Sequence, residues 1–272
     1  MPKVPKFFIG TMYSGEAEFE ESRAAIAAQE GIVVEHFVLK DLPEFEAHNQ
    51  LWKKWNSVKS SFDLFVKIDA DTVLIGKDAL LKIWHLFEAN SEVTGAQILL
   101  HDYFTDSLIP GPNSFHPSVV FNDSKDPLYP DHADSGHKLV LKGESVQFLA
   151  PIGEHCKHPA KIQAFHYGLH RALKKQTEVL KKLCLAWKNK PESGRFWAIA
   201  GARMAIKYEK KFHNMGKGKK FLNRLLGMPT YLPPISYKSP AFLEAFYEAE
   251  SDNELAAKVL AFTDKFLEEQ HV

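Results

Sequence analysis

Two carboxylates, Asp69 and Asp71, stand one residue apart at the end of the apolar run Leu64-Phe65-Val66-Lys67-Ile68. Short, bulky and partly β-branched, that run reads as a core strand. In extended chain, alternate residues project to the same side. A strand giving way to a loop here aims both acids at one point. Neighbouring carboxylates repel unless a cation joins them. Mg²⁺ and Mn²⁺ suit that arrangement, because hard divalent ions prefer oxygen donors and keep coordination positions for phosphate oxygens. The competing use of the same pair is a turn or a helix cap.

The elements around the acids decide between these uses. Lys6–Ile9 reads as a first strand, ending at Gly10-Thr11-Met12-Tyr13-Ser14-Gly15. Glu16–Gln29 is acidic, then alanine-rich, and reads as a helix with Gly31 as its terminator. Glu30–Leu39 returns to strand character, Leu42–Ser60 to helix, and the acid-bearing strand comes next. A helix over Asp78–Ala89 and a strand over Val93–Leu100 complete a β-α-β-α-β-α-β order. This predicts an α/β fold, Rossmann-like, with a mostly parallel central sheet flanked by helices. In such sheets ligands lie outside the carboxyl ends of the strands. Thr11, Tyr13, Ser14, Gly15 and Asp41 then share a rim with Asp69 and Asp71, unless they are ordinary turn residues.

The strand-helix-strand start, the helix with Ala47-His48-Asn49 and the segment Phe65-Val66-Lys67-Ile68-Asp69-Ala70-Asp71 together resemble nucleotide-sugar glycosyltransferases of the GT-A fold, family 2-like, over roughly residues 5 to 170. One segment departs from the family pattern: Leu39-Lys40-Asp41-Leu42-Pro43 stands where an acid-rich D-D-x-S is expected. The resemblance implies a metal-dependent transferase that moves a sugar from a nucleoside-diphosphate sugar to a glycan, lipid-linked or other acceptor hydroxyl. It implies Mn²⁺ or Mg²⁺ held by Asp69 and Asp71, with His155 as a third ligand from a loop after a late strand. Neutral imidazole suits Mn²⁺ better than Mg²⁺. The donor site it implies draws on Thr11, Tyr13, Gly15, Asp41, His48, Asn49, Lys67, Asp69 and Ala70. Candidate general bases for an inverting reaction are Asp131, Asp134 and Glu144.

Two other classes remain open on these residues. A sugar-phosphate nucleotidyltransferase would use a similar sheet, but usually with a basic, glycine-rich first loop; Thr11–Gly15 has one glycine and no Lys or Arg. A non-catalytic carbohydrate-binding protein would need the acids only for turns. His155, Cys156 and His158 also invite a zinc reading, but no second Cys/His pair stands at zinc-finger spacing.

Composition sets wider bounds. The 272 residues are 45% hydrophobic, enough for a sizeable core, and 34 basic residues balance 34 acidic ones. That balance gives no field calling for nucleic acid. Two cysteines fit a reducing, cytoplasmic setting, and no apolar window is long enough for a transmembrane helix. His101–Lys138 is rich in proline and short polar residues and reads as an irregular acceptor-side excursion with a short strand at Ser118–Phe121. Strand pattern returns over Lys138–Ile152. Ala160–Trp187 then reads as one long helix in which His166, His170 and Arg171 are set for phosphate or acceptor contacts. The chain is thus expected to divide into a catalytic domain, 1–189, and a helical appendage, 190–272. The basic stretch within 207–224 is the segment suited to an anionic glycan or a peripheral membrane contact.

Overall fold

The computed structural model describes residues 3–125, 131, 140–141 and 151–213. Strand β1 (Lys6–Tyr13) leads to helix α1 (Phe19–Ala27), β2 (Val33–Lys40), α2 (Glu44–Val58) with a closing 3₁₀ turn at Lys59–Ser61, and β3 (Leu64–Lys67). Then come β4 (Thr72–Leu74), α3 (Ala79–Ala89), β5 (Gly95–Asp102), β6 (Ser107–Phe115), β7 (Val140–Leu141) and β8 (Gly153–His155). Helices α4 (Lys161–Leu173), α5 (Thr177–Asn189) and α6 (Ser193–His213) complete the order. The described residues fall into two compact units that divide between Lys157 and His158, with Phe104–Asp106 belonging to the second. The boundary read from sequence at 189/190 falls between α5 and α6.

The first unit carries an α/β sheet in the order β2-β1-β3-β6-β5-β8-β4, with β7 also on β5. The mostly parallel sheet expected from sequence is corrected to a mixed one. Strand β1 pairs in parallel with β2 and β3, and β5 with β7 and β8. The pairs β3–β6, β5–β6 and β4–β8 are antiparallel. The physical reason is a hairpin: β5 turns at 103–106 and returns as β6 through the proline-rich stretch, so β6, not β5, lies against β3. Proline cannot donate to a ladder. Pro110 and Pro112 sit where the β5–β6 register shifts opposite Gln97–Leu99, so the interruption accommodates them. The short strand expected at Ser118–Phe121 is replaced by this longer one upstream.

Alternation along the central strands builds two cores. Phe7, Ile9, Leu64 and Val66 face one side, against Ile26 of α1 and Leu80, Ile83 and Leu86 of α3. Phe8 and Phe65 face the other, against Leu51, Trp52 and Trp55 of α2. Each side chain is removed from water, which favours folding by about 1.5–3 kcal/mol for a fully buried large apolar residue.

Helix α2 also organises the chain beyond β6. Lys59 Nζ donates to the Pro117 carbonyl at 3.0 Å and Trp55 Nε1 to that of Val119 at 3.2 Å. Asn56 takes both backbone groups of Phe121, donating to the carbonyl at 2.6 Å and accepting the N–H at 3.1 Å. Seven residues earlier on the helix, Asn49 accepts the Ser124 N–H at 2.7 Å and donates to its carbonyl at 3.5 Å. Two asparagines at that spacing share a helix face, so they clamp an extended segment like a strand partner.

In the second unit, the single helix expected over Ala160–Trp187 is two helices. The chain breaks at Lys174–Gln176, where Lys175 has φ +54. Helix α4 crosses α6 at very short range. A Cβ on Gly168 would lie 1.7 Å from the Ala198 carbonyl oxygen, and one on Gly201 would lie 2.0 Å from that of Phe165. Ala164, Ala172, Ala198 and Ala202 are all buried, so small residues permit the crossing.

Candidate functional site

Of the three parallel strands, β1 and β2 end level with each other and β3 stops three residues sooner. Tyr13 pairs with Lys40, Gly10 with Lys67, and the Ile68 N–H reaches the Gly10 carbonyl at 3.1 Å. The chain therefore leaves β3 beside Thr11 and turns into Asp69, Ala70 and Asp71. Strand β1 runs on through Thr11 to Tyr13 instead of ending at Ile9. Thr11 is buried, and its hydroxyl lies 2.9 Å from His36 Nε2. The Tyr13 ring stacks on Phe19 at 4.1 Å, with the Lys40 ammonium over both rings. Gly15 has φ +99 in the loop after β1. Asp41, at φ +60, gives its N–H to the Tyr13 carbonyl at 3.0 Å, which fixes the β2 exit against the β1 exit.

The two acids of the pair take different partners. Asp69 is exposed and accepts a hydrogen bond from Lys67 Nζ at 2.5 Å. The surrounding protein would raise the Asp69 pKa, but the Lys67 charge and hydrogen bond outweigh it and hold the carboxyl below its ordinary value. Lys67 is itself buried; burial opposes its charge, and Asp69 first, then Asp131 and Glu44, keep it protonated above the usual lysine value. His48, on the second turn of α2, is 3% exposed and stacks obliquely on Trp52. Its Nδ1 lies 2.9 Å from the Glu44 carbonyl, and Nε2 has no hydrogen-bond partner among the described residues. Burial, then the Lys67 charge, lower its pKa to about 4, so the ring is neutral.

Asp71 belongs to another constellation. The antiparallel pairing of β4 with β8 puts Thr72 opposite His155, and parallel pairing of β5 with β8 puts Asp102 beside it. His155 Nδ1 meets Asp102 Oδ1 at 2.7 Å, and Asp102 is fully buried. A carboxylate on Nδ1 holds a proton there and fixes the orientation of the ring. That Nε2 faces Asp71 Oδ2 at 3.6 Å. Cys156, left-handed at φ +53, gives its N–H to the Asp71 carbonyl at 2.8 Å and its Sγ–H to Asp71 Oδ2 at 3.1 Å. Burial and the neighbouring acids push the Cys156 thiol well up. Asp71 Oδ1 is buried with no hydrogen-bond partner among the described residues. Asp71 thus turns Oδ2 to an imidazole held by a buried acid and keeps Oδ1 buried without a partner among the described residues, oxygens of the kind a cation takes as donors. Asp71, His155 and Cys156 offer ligand atoms within 4.8 Å of one another.

The structure brings Asp71 and His155 together from distant parts of the first unit's chain. Asp69, grouped with them from sequence, turns instead to Lys67. Asn49 commits its side-chain amide to the Ser124 backbone. Asp131 is exposed and acts electrostatically on Lys67 and His48. Asp134 and Glu144 lie outside the described residues, as does most of 207–224. The rings of His166 and His170 meet at 4.3 Å on α4, tilted by 47°, and desolvation lowers the pKa of His166 to about 4 and that of His170 well below its ordinary value. Arg171 lies 4.7 Å over the Tyr167 ring and donates to Gln176 Oε1 at 2.8 Å. Sequence reasoning missed Asp102 and set Cys156 aside. Asp102 had a usable signal: like Asp69, it is an acid closing an apolar strand.

Comparison with protein-family models finds no match, and comparison with curated proteins finds none either. Among solved structures the chain is similar to the mannosyltransferase PcManGT from Pyrobaculum calidifontis in complex with GDP-Man and Mn²⁺, at 10% identity and a TM-score of 0.37, over 92% of this chain and 89% of that one. It is also similar to A197 from STIV, at 9% identity and a TM-score of 0.32, over 41% of this chain and spanning only 64% of that one. Among the described residues no helix is long and apolar enough to cross a membrane.

Proposed function

We propose that the protein is a metal-dependent glycosyltransferase, transferring a sugar from a nucleoside-diphosphate sugar to an acceptor hydroxyl. The observation that carries this is the Asp102–His155–Asp71 arrangement at the end of the sheet, with the inward Asp71 oxygen left unsatisfied. Asp71 and His155 would hold Mn²⁺ or Mg²⁺, and the mixed oxygen and nitrogen donors favour Mn²⁺. When bound, such an ion supplies Lewis-acid neutralisation of the departing diphosphate.

The chain's own residues do the rest. Asp102 fixes the tautomer and orientation of His155. Lys67 holds Asp69 ionised at the rim, where that carboxylate receives a hydroxyl of the donor. Thr11, Tyr13, Gly15 and Asp41 border the nucleotide, and His48, Asn49, Lys67 and Ala70 flank the sugar side. His48 stays neutral, so it offers Nε2 without adding charge. Asp131 is the candidate base for the acceptor hydroxyl, and its approach to Lys67 and His48 supports that place. Most of the acceleration comes from holding donor and acceptor in register.

Isothermal titration with nucleoside diphosphates, with and without Mn²⁺, tests the reading. Heat released only with Mn²⁺ is expected, and negligible heat in both conditions would overturn it. Asp71→Ala should abolish sugar-nucleotide turnover while the circular dichroism melt stays cooperative. Asp102→Asn should weaken Mn²⁺ by about 10–100-fold. A fully active Asp71→Ala protein removes the metal assignment.

A further inference from the structure

The donor set around Asp71 contains a sulfur, which a site designed only for Mg²⁺ or Mn²⁺ does not need. Cys156 Sγ lies 3.1 Å from Asp71 Oδ2 and 3.5 Å from His155 Nε2, and those two atoms are 3.6 Å apart. Zinc-class ions bind sulfur at about 2.3 Å and nitrogen or oxygen at about 2.0–2.2 Å in a tetrahedron, so their donors stand roughly 3.3–3.6 Å from one another. The triangle in this protein already has nearly that size. Three protein donors also leave a fourth position for an outside ligand, the pattern of an open site and not of a closed structural one.

The backbone holds this triangle. The Cys156 N–H is fixed to the Asp71 carbonyl, His155 is pinned by two strands, and Asp102 sits behind the imidazole. Sulfur is a soft donor, and thiolate selects zinc-like ions over magnesium and manganese.

We propose that Asp71, His155 and Cys156 form a three-donor site for a thiophilic divalent cation of the zinc class, with Cys156 as a thiolate ligand. This rests on the metal part of the proposed function, not on the transferase chemistry. On binding, the S–H bond breaks, a sulfur–metal bond forms and the proton leaves to solvent. A soft ion seated there competes directly with Mn²⁺, so the same site can be switched by which ion is available.

The test uses the full chain, stripped of metal with a chelator and titrated with Co²⁺. A sulfur-to-cobalt charge-transfer band in the near ultraviolet, saturating at one equivalent, is expected in the wild type. It should vanish in Cys156→Ser and persist in Cys184→Ala. The chain has two cysteines, so either variant assigns the thiolate even if the other fails to fold. No band in the wild type, or a band lost in Cys184→Ala and kept in Cys156→Ser, overturns the proposal. Wild-type titration with nucleoside diphosphate in Mn²⁺ separates the two readings. A band without diphosphate heat keeps this site and removes the transferase; heat without a band removes only the thiolate.

Discussion

Lys67 couples the acidic rim to the interior. It is buried, yet charged, and it reaches Asp69 on one side while acting on His48 on the other. Replacing it with methionine keeps the apolar stem and removes both influences. The His48 pKa should then rise from about 4 toward its ordinary value, because the Lys67 charge is the second largest cause of its depression after burial. An NMR pH titration of the imidazole resonances measures this. A titration midpoint unchanged in Lys67→Met would show that burial alone neutralises the ring. At this scale the resemblance had grouped Asp69, Asp71 and His155, and the structure sets Asp71 beside His155 while Asp69 turns to Lys67. The spacing of Asp69 and Asp71 suggests a shared target. The structure divides them, because Lys67 lies two residues before Asp69 on the same side of the chain and takes it first. Cys156 was set aside because no second Cys/His pair stands at zinc-finger spacing. A site assembled by β-strand pairing across 85 residues leaves no spacing to read.

Elements were legible where hydrophobic periodicity dominated and obscure where punctuation misled. Helices α1, α2 and α3 and strands β1, β2, β3 and β5 emerge from period and length, within a few residues at their ends. Strand β6 was hidden because two prolines and a glycine sit in a register shift that tolerates them. The break between α4 and α5 was hidden for the opposite reason. Lys175 carries the left-handed turn with neither Gly nor Pro to announce it. The α4–α6 crossing makes a strong prediction. Gly168→Ala improves helix propensity by about 1 kcal/mol. The added carbon nevertheless meets the Ala198 carbonyl at 1.7 Å, and a backbone atom has no rotamer to escape through. Overpacking of this kind costs about 1–3 kcal/mol, and the upper end is expected here. Urea denaturation should show the variant less stable overall by about 2 kcal/mol after the propensity gain. A stabilised variant would mean that the two helices separate easily.

Across the whole molecule, histidines held neutral by their surroundings shape the response to acid, His48 buried and His166 and His170 half-buried. His48 and His166 have pKa values of about 4, and His170 also lies well below its ordinary value. The unfolded chain takes up protons on these rings as pH falls through about 6.5, whereas in the folded chain His48 and His166 do so only near 4 and His170 only well below its ordinary value. Their contribution to stability is therefore complete above a pH of about 6.5 and is lost progressively toward about 4. Asp69 has the same sign but a lower window, starting near its unfolded value and continuing below it. Thermal midpoints should fall steeply between about pH 6.5 and 4.5, before most carboxylates titrate. His48→Gln should flatten part of that slope. A pH-independent midpoint over this range would contradict the desolvation of these rings. Fold class was legible at this scale, since alternating strands and helices demand a covered sheet. The mixed pairing was not, because strand direction depends on a hairpin that the prolines disguise.

The grip of Asn49 and Asn56 on main chain alone has an evolutionary corollary. Backbone groups are the same whatever residue bears them, so the positions 118, 120, 122 and 123 carry no obligation to those asparagines. Val119 and Phe121 must stay apolar for the core, while Ser118 and Asp123 answer to contacts of their own with His116 and Lys53. Side chains along the strip can therefore change without loosening the asparagine grip that fixes its path over α2.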